Sequence, residues 1–179
     1  GFTRDYPVEQ YYHDNRLNPI HEGTNGIQAL DLLGRKAMMQ EGAALKLLLQ
    51  RIGATVAEAA AEPECSALAQ HVGEAAKLLG ELTLQLGMAM LQSGPDAVLA
   101  NAALYLDLAG KVVISWMWLR QALVAAKALP NAGSDGDFYR GRLQAARYYI
   151  EWELPEIQHQ ANLLRGKSDV CLTMQDGWF

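Results

Sequence analysis

The stretch that decides the fold is SALAQHVGEAAKLLGELTLQLGMAMLQ, residues 66–92. Small and apolar residues recur along it at alternating spacings of four and three, the period of one face of an α-helix. No proline interrupts it, and alanine, leucine, glutamine and glutamate, which favour helices, dominate its composition. The residues of this apolar seam are Leu68, Val72, Ala75, Leu79, Leu82, Leu86 and Ala89. The stretch therefore predicts one long helix with a continuous packing face.

The sequence on both sides repeats this pattern. The spacing predicts a helix over about residues 43–61, one from Pro95 to about residue 129, and one over about residues 137–165 that Pro155 kinks. Strand-like alternation is absent from the sequence. Because long helices with short connections pack as antiparallel neighbours, the predicted fold class is all-α, an up-down antiparallel bundle of long helices.

Shorter elements are predicted towards the two ends of the chain. A helix should begin at Pro7 with Asp5 as its cap, and a second helix should begin at Thr24 or Asn25. The Gln40–Glu41–Gly42 sequence should break that second helix. At the other end, two large aromatic side chains, Trp178 and Phe179, are expected to dock into a groove.

Composition and charge exclude several functions. The 179 residues carry a net charge of −5 and a pI near 5.3, which lacks the basic footprint of a nucleic-acid-binding protein. Cys65 and Cys171 match no metal-binding spacing, so we expect two free thiols, no metal and a cytoplasmic location. We expect no transmembrane segment, because charged residues interrupt the most apolar stretch, residues 97–123. A start at Gly1 without an initiator methionine suggests a fragment.

The chemistry is concentrated in IHEGTNGIQ, residues 20–28. Glu22 precedes a helix, where an apolar pocket would raise its pKa and suit it to be a general base; the alternative is that it complements the helix dipole. Gly23 suits an unusual backbone conformation or close approach to a ligand. Thr24 could cap the helix or hydrogen-bond a cofactor.

These residues resemble a family signature. Gly1-Phe2-x-x-Asp5 with Asp14, then Asp5-Tyr6-Pro7-Val8-Glu9, Arg16, Ile20-His21-Glu22-Gly23-Thr24 and Ile27-Gln28, is similar in order and spacing to acyl-CoA dehydrogenases, which are flavin enzymes. Residues 30–36, LDLLGRK, look most like the long bacterial members that carry an extra helical C-terminal domain. The sequence departs from the family at Gln10, His21 and Gly26.

The resemblance implies roles for individual residues. Glu22 would remove the pro-R α-proton of an acyl-CoA while N5 of FAD takes a hydride from the β-carbon, giving a trans-2-enoyl-CoA. Gly23 would lie against the thioester end of the substrate, and Thr24 and Asn25 would contact FAD. The electron acceptor would be a partner such as an electron-transfer flavoprotein.

The resemblance also implies a division of the chain. Residues 1–40 would end the dehydrogenase helical domain and carry the base, and residues 41–179 would form the additional bundle. Alone, the chain is expected to be inactive and to bind no FAD tightly. The alternative is a non-catalytic interaction or oligomerisation module; a DNA-binding relative is disfavoured by the acidic charge. We expect a homo-oligomer, with Leu104 and Leu108 contributing surplus apolar surface.

Overall fold

The protein folds into α-helices joined by short turns in the computed structural model, which describes residues 4–18 and 24–178. No strand occurs in these two ranges, so the predicted all-α class is confirmed. The α-helices are α1 (Val8–Arg16), α2 (Thr24–Asp31), α3 (Met39–Ala60), α4 (Ser66–Ser93), α5 (Asp96–Leu99), α6 (Ala102–Ala128), α7 (Gly136–Tyr148), α8 (Glu156–Gly166) and α9 (Val170–Thr173).

Helix α4 lies at the centre of the packing. Every residue of its predicted seam is buried, and the helix contacts α3, α6 and α8. Burying apolar side chains of this size stabilises the fold by about 1.5–3 kcal/mol for each large one. The long helices α3, α4, α6 and α7 follow one another through short connections and pack as neighbours, which is compatible with the predicted up-down arrangement.

Two helix interruptions agree with the sequence. Within α3, Gln40, Glu41 and Gly42 have φ angles of 51°, 56° and 74°, so the predicted break is confirmed there. Before Pro155, which has no N–H to continue an α-helix, the chain forms a π turn over Tyr149–Glu153. The helix predicted over about residues 137–165 is therefore interrupted at the proline, and the kink itself stays a prediction.

A third interruption was not predicted. The helix expected to run unbroken from Pro95 divides into α5 and α6 at Ala100 and Asn101. The Asn101 side-chain amide donates to the carbonyl oxygens of Ala97, at 3.1 Å, and Ser168, at 3.0 Å. The first bond satisfies a carbonyl of α5, and the second ties the C-terminal segment to the bundle.

Helix α6 is packed on several sides. It contacts α2, α3, α4, α7 and α8, and Leu108 is fully buried, so the expectation that Leu108 would add surplus surface for self-association is wrong. The stretch Ala102–Asn131, with a mean hydropathy of 1.3, is long and apolar enough by composition to cross a membrane. Its contacts with five neighbouring helices are those of a core helix, and a core helix meets the same length and composition criteria.

Two smaller expectations are also wrong. Helix α1 begins at Val8 after Pro7 without a side-chain capping bond, so Asp5 is not its cap. Trp178, in the short 3₁₀ turn Asp176–Trp178, is 65% exposed and does not dock. Phe179 lies outside the described residues. The predicted boundary near residue 40 coincides with the break in α3 and stays a prediction.

Candidate functional site

The N-terminus of α2 carries two of the predicted site residues. Thr24 is the first residue of the helix, with φ of 46°, and Asn25 follows it. Both residues are exposed, and within the described part of the chain neither side chain forms a hydrogen bond. Glu22 and Gly23, predicted as base and substrate contact, lie outside the described residues.

Thr24 borders an open groove of about 630 Å³. The groove runs between the first turns of α2, helix α5, the start of α6 and helix α9. Its lining residues are Thr24, Gly26, Ile27, Leu30, Asp96, Leu99, Ala100, Ala102, Ala103 and Leu172. Asn25 is not among them. The two residues that were both predicted to contact FAD therefore differ, since Thr24 borders the groove and Asn25 does not.

Helix α2 is held firmly against the bundle. Ala29 is fully buried, as is Leu33 in the π turn that follows, Leu32–Lys36. Gly34 faces Leu99 of α5 so closely that a Cβ atom at Gly34 would lie 3.3 Å from Leu99 Cδ2. This glycine permits the close approach of α2 and α5 that forms one end of the groove.

Charge pairing fixes the C-terminal end of α2. Asp31 accepts a hydrogen bond from Arg35 Nε at 2.5 Å, and Lys36 Nζ lies 2.9 Å from its other carboxylate oxygen. These hydrogen bonds, with Arg35 first and Lys36 second, lower the pKa of Asp31 to about 2. Asp31 is thus ionised at neutral pH and is a structural partner rather than a proton-transfer group.

The groove supplies binding groups and little acid–base chemistry. Its walls are mainly apolar, and Asp96 is the one carboxylate among the described residues that line it. The Thr24 hydroxyl can donate and accept hydrogen bonds, and Gly26 has open space where a side chain would stand. The described residues can therefore orient a ligand, while a base must come from elsewhere.

The cysteines and potential metal ligands in residues 4–18 and 24–178 add no further candidate site. Both cysteines are free, as predicted; burial, reinforced by Glu62 and Glu64, raises the pKa of the Cys65 thiol to about 11. A protonated, buried thiol is a poor nucleophile. Among the described residues, no group of three or more histidine, cysteine, aspartate or glutamate side chains could hold a metal ion.

Comparison with known proteins decides the family. Residues 48–175 match the family model described as "Acetyl-CoA dehydrogenase C-terminal like". The chain belongs to the acyl-CoA dehydrogenase family. This acyl-CoA dehydrogenase region is 34% identical, over 192 aligned residues covering the whole chain, to the broad-specificity linear acyl-CoA dehydrogenase FadE5 of Mycobacterium tuberculosis.

Two further relatives agree. The chain is 30% identical over 97% of its length to 3-methylmercaptopropionyl-CoA dehydrogenase of Ruegeria pomeroyi, and 28% identical over 88% to a butyryl-CoA dehydrogenase of Syntrophomonas wolfei. The matched regions cover 30%, 29% and 26% of these three acyl-CoA dehydrogenases. The chain thus spans under a third of the length of the curated relatives described here.

Some groove residues could not be found from the sequence. Leu172 lies about 150 positions after Thr24, and the hydrogen bond from the Asn101 amide to the Ser168 carbonyl ties its segment to the bundle. Leu99 and Ala103 were predicted as parts of one packed helix. The break at Asn101 is what makes them line two sides of an opening.

Proposed function

We propose that the chain supplies the catalytic base and one edge of the flavin site of an FAD-dependent acyl-CoA dehydrogenase that oxidises acyl-CoA to trans-2-enoyl-CoA. The observation that carries the proposal is the groove at the N-terminus of α2, where the family signature ends in exposed polar residues beside an apolar wall. Family membership supplies the reaction class.

In this proposal Glu22 takes the α-proton of the substrate. In sequence it precedes the first residue of α2 by two positions, and the N–H groups at a helix N-terminus favour a carboxylate. Exclusion of water by bound substrate acts in the opposite direction and raises the pKa of a carboxyl group. These two opposing effects on the pKa of the carboxyl group suit a base that must accept a weakly acidic proton near neutral pH.

Thr24 and Asn25 fit a role in holding FAD. Their exposed side chains offer a hydroxyl and an amide without other hydrogen-bond partners in the described ranges, and Gly26 leaves room beside them. When bound, FAD supplies the acceptor for the hydride that leaves the β-carbon. Thr24 and Asn25 would orient that group, and the apolar wall of Ile27 and Leu30 would exclude water.

The partners and location belong to the same proposal. An acyl-CoA is the substrate, an electron-transfer flavoprotein is the electron acceptor, and two free thiols suit the cytoplasm. The relatives are named for linear, sulfur-containing and butyryl substrates. Because these names differ, we propose the acyl-CoA class without a chain length.

The test uses the full-length protein purified with its flavin. Addition of an acyl-CoA panel under air-free conditions should bleach the flavin and yield a product with a trans-2 double bond. Thr24→Val should weaken FAD binding by about tenfold, the loss of one useful hydrogen bond. The control is Thr173→Val, which removes an exposed hydroxyl in α9 and should leave FAD affinity unchanged. Protein without flavin, or flavin that no acyl-CoA reduces, would refute the proposal.

A second candidate function is that of an interaction module. Leu84, Met88 and Leu91 form an exposed apolar stripe on α4, at helical spacings of four and three, and Leu91 is 87% exposed. An unpaired stripe of this kind favours a contact surface. Light scattering should show an oligomer that Leu91→Glu dissociates, while Leu163→Glu, at an exposed position on α8, should not. A monomer at high concentration would refute this candidate.

A further inference from the structure

A second groove, of about 500 Å³, lies between α6 and α7. We call it the arginine groove. Its volume falls within the roughly 300–1,000 Å³ of small-molecule sites. Its apolar surface comes mainly from exposed side chains, including Val124, which is 65% exposed, and Phe138. The lining residues used below are Met117, Arg120, Val124, Phe138, Tyr139 and Arg142.

Two arginines in this groove have no acidic partner. In residues 4–18 and 24–178, neither Arg120 nor Arg142 forms an ion pair or a side-chain hydrogen bond. Each guanidinium instead lies over an aromatic ring, with Arg120 Cζ 5.6 Å from the Trp116 centroid and Arg142 Cζ 4.9 Å from the Phe138 centroid. A contact with a ring face uses none of the N–H donors of a guanidinium, so these donors are available to an anion.

Other arginines of α7 behave differently. Arg140 binds Asp137 at 2.9 Å, and Arg147 binds Glu151 at 2.8 Å. Their positive charges are neutralised locally and neither residue lines the groove. The chain carries a net charge of −5, yet no carboxylate is among the described residues that line the arginine groove. The lining of the arginine groove is therefore positively charged, although the chain as a whole carries a net negative charge.

The shape of the arginine groove restricts the ligand further. Met117, Arg120 and Val124 lie on successive turns of α6, so they span about 10 Å along the groove. An apolar strip of that length, with guanidinium groups beside it, fits a linear apolar chain that ends in a carboxylate or phosphate, the groups that arginine binds in bidentate fashion. We propose that the arginine groove binds a monomeric single-chain amphiphilic anion.

The charges favour a free molecule over an anionic bilayer. The groove is concave, and Asp135 is exposed at the start of α7, three positions before Phe138, and forms no ion pair among the described residues. Its negative charge would oppose a flat anionic surface but leave the interior accessible to one head group. The groove also lies about 20 Å along α6 from Ala103, which lines the groove at α2.

The test is calorimetric titration of the chain with decanoate, with decylamine as the cationic probe of equal chain length. Decanoate should bind saturably and decylamine should not. The double variant R120Q/R142Q should weaken decanoate binding by at least about tenfold, since two charge-assisted contacts are lost. The control R147Q removes a paired arginine of α7 away from the groove and should bind decanoate as the unmodified chain does.

A second variant separates binding from folding. Val124→Glu puts a negative charge in the groove at an exposed position, so the fold should persist while decanoate binding is lost. Equal binding of decylamine, equal loss in R147Q, or no saturable binding of decanoate would overturn the proposal. Binding to phosphatidylglycerol vesicles without binding to decanoate would also overturn it. None of these results bears on the proposed dehydrogenase function.

Discussion

One buried hydrogen-bonded pair gives a prediction whose sign, and not only its size, can be tested. Thr83 of α4 and Tyr105 of α6 are 1% and 2% exposed, and their hydroxyl oxygens lie 2.7 Å apart. The Thr83 hydroxyl donates to the Leu79 carbonyl at 2.7 Å, so the Tyr105 hydroxyl is the donor within the pair. Burial raises the pKa of Tyr105, which keeps that donor protonated at neutral pH.

The two single substitutions should differ. Tyr105→Phe removes the donor but leaves Thr83 bonded to Leu79, so it should cost about 0.5–1.5 kcal/mol of unfolding free energy. Thr83→Val leaves the Tyr105 hydroxyl buried without an acceptor, which should cost about 1–3 kcal/mol. Replacing both partners removes the unpaired group, and the loss should then be smaller than for Thr83→Val alone. Adding Tyr105→Phe to the Thr83→Val background should therefore stabilise the protein.

Urea unfolding of the four proteins, followed by circular dichroism, measures these differences. Tyr148→Phe is the control, because its hydroxyl bonds Glu153 at 2.7 Å on the surface and its loss should change stability by less than about 0.5 kcal/mol. If Tyr105→Phe lowers the stability of Thr83→Val further, the assigned direction of the hydrogen bond is wrong.

Further predictions concern glycines and thiols. Gly110→Ala should stabilise α6 by about 0.5–1 kcal/mol in urea unfolding, because a Cβ meets no atom within 4 Å, whereas Gly42→Ala, at φ of 74°, should destabilise by about 1 kcal/mol. Cys171 should react with a thiol reagent at pH 8 while buried Cys65 does not; equal rates would contradict its burial. Folding raises the pKa of Cys65 from 9.0 to about 11, so its contribution to the unfolding free energy should be complete below pH 9 and lost as pH rises towards 11. Cys65→Ala should remove this fall in the unfolding free energy between pH 9 and pH 11.

The long helices were predictable because their cause is local. The spacing of the apolar residues of α4 predicts its seam, and all seven seam residues are buried. The breaks at Gly42 and Pro155 were predictable for the same reason, since they follow from backbone chemistry.

The division of α5 from α6 was not predictable. At the break, the Asn101 amide bonds the Ala97 carbonyl and, across 67 positions in sequence, the Ser168 carbonyl. Helical propensity carries no information about such a contact. The groove at α2 depends on this break and on Leu172, so its lining could be assembled only from the three-dimensional structure.

The candidate sites were also predictable from the sequence only in part. The signature around Glu22 pointed to Thr24, and Thr24 borders a groove. The arginine groove had no signature, because Arg120 and Arg142 lie on different helices and become neighbours only through packing of α6 against α7. Their lack of acidic partners is visible only once the contacts of each side chain are known.

The central claim, that Glu22 is the base, is tested most directly by anaerobic flavin reduction in the full-length enzyme carrying Glu22→Gln. The amide keeps the shape of the side chain but cannot accept the α-proton, so bleaching of the flavin band by acyl-CoA should slow by about 10²- to 10⁴-fold with FAD still bound. Glu41→Gln, at an exposed position in the break of α3, is the control and should bleach at the normal rate. Normal bleaching in the Glu22→Gln enzyme would contradict the account and require another carboxylate as the base.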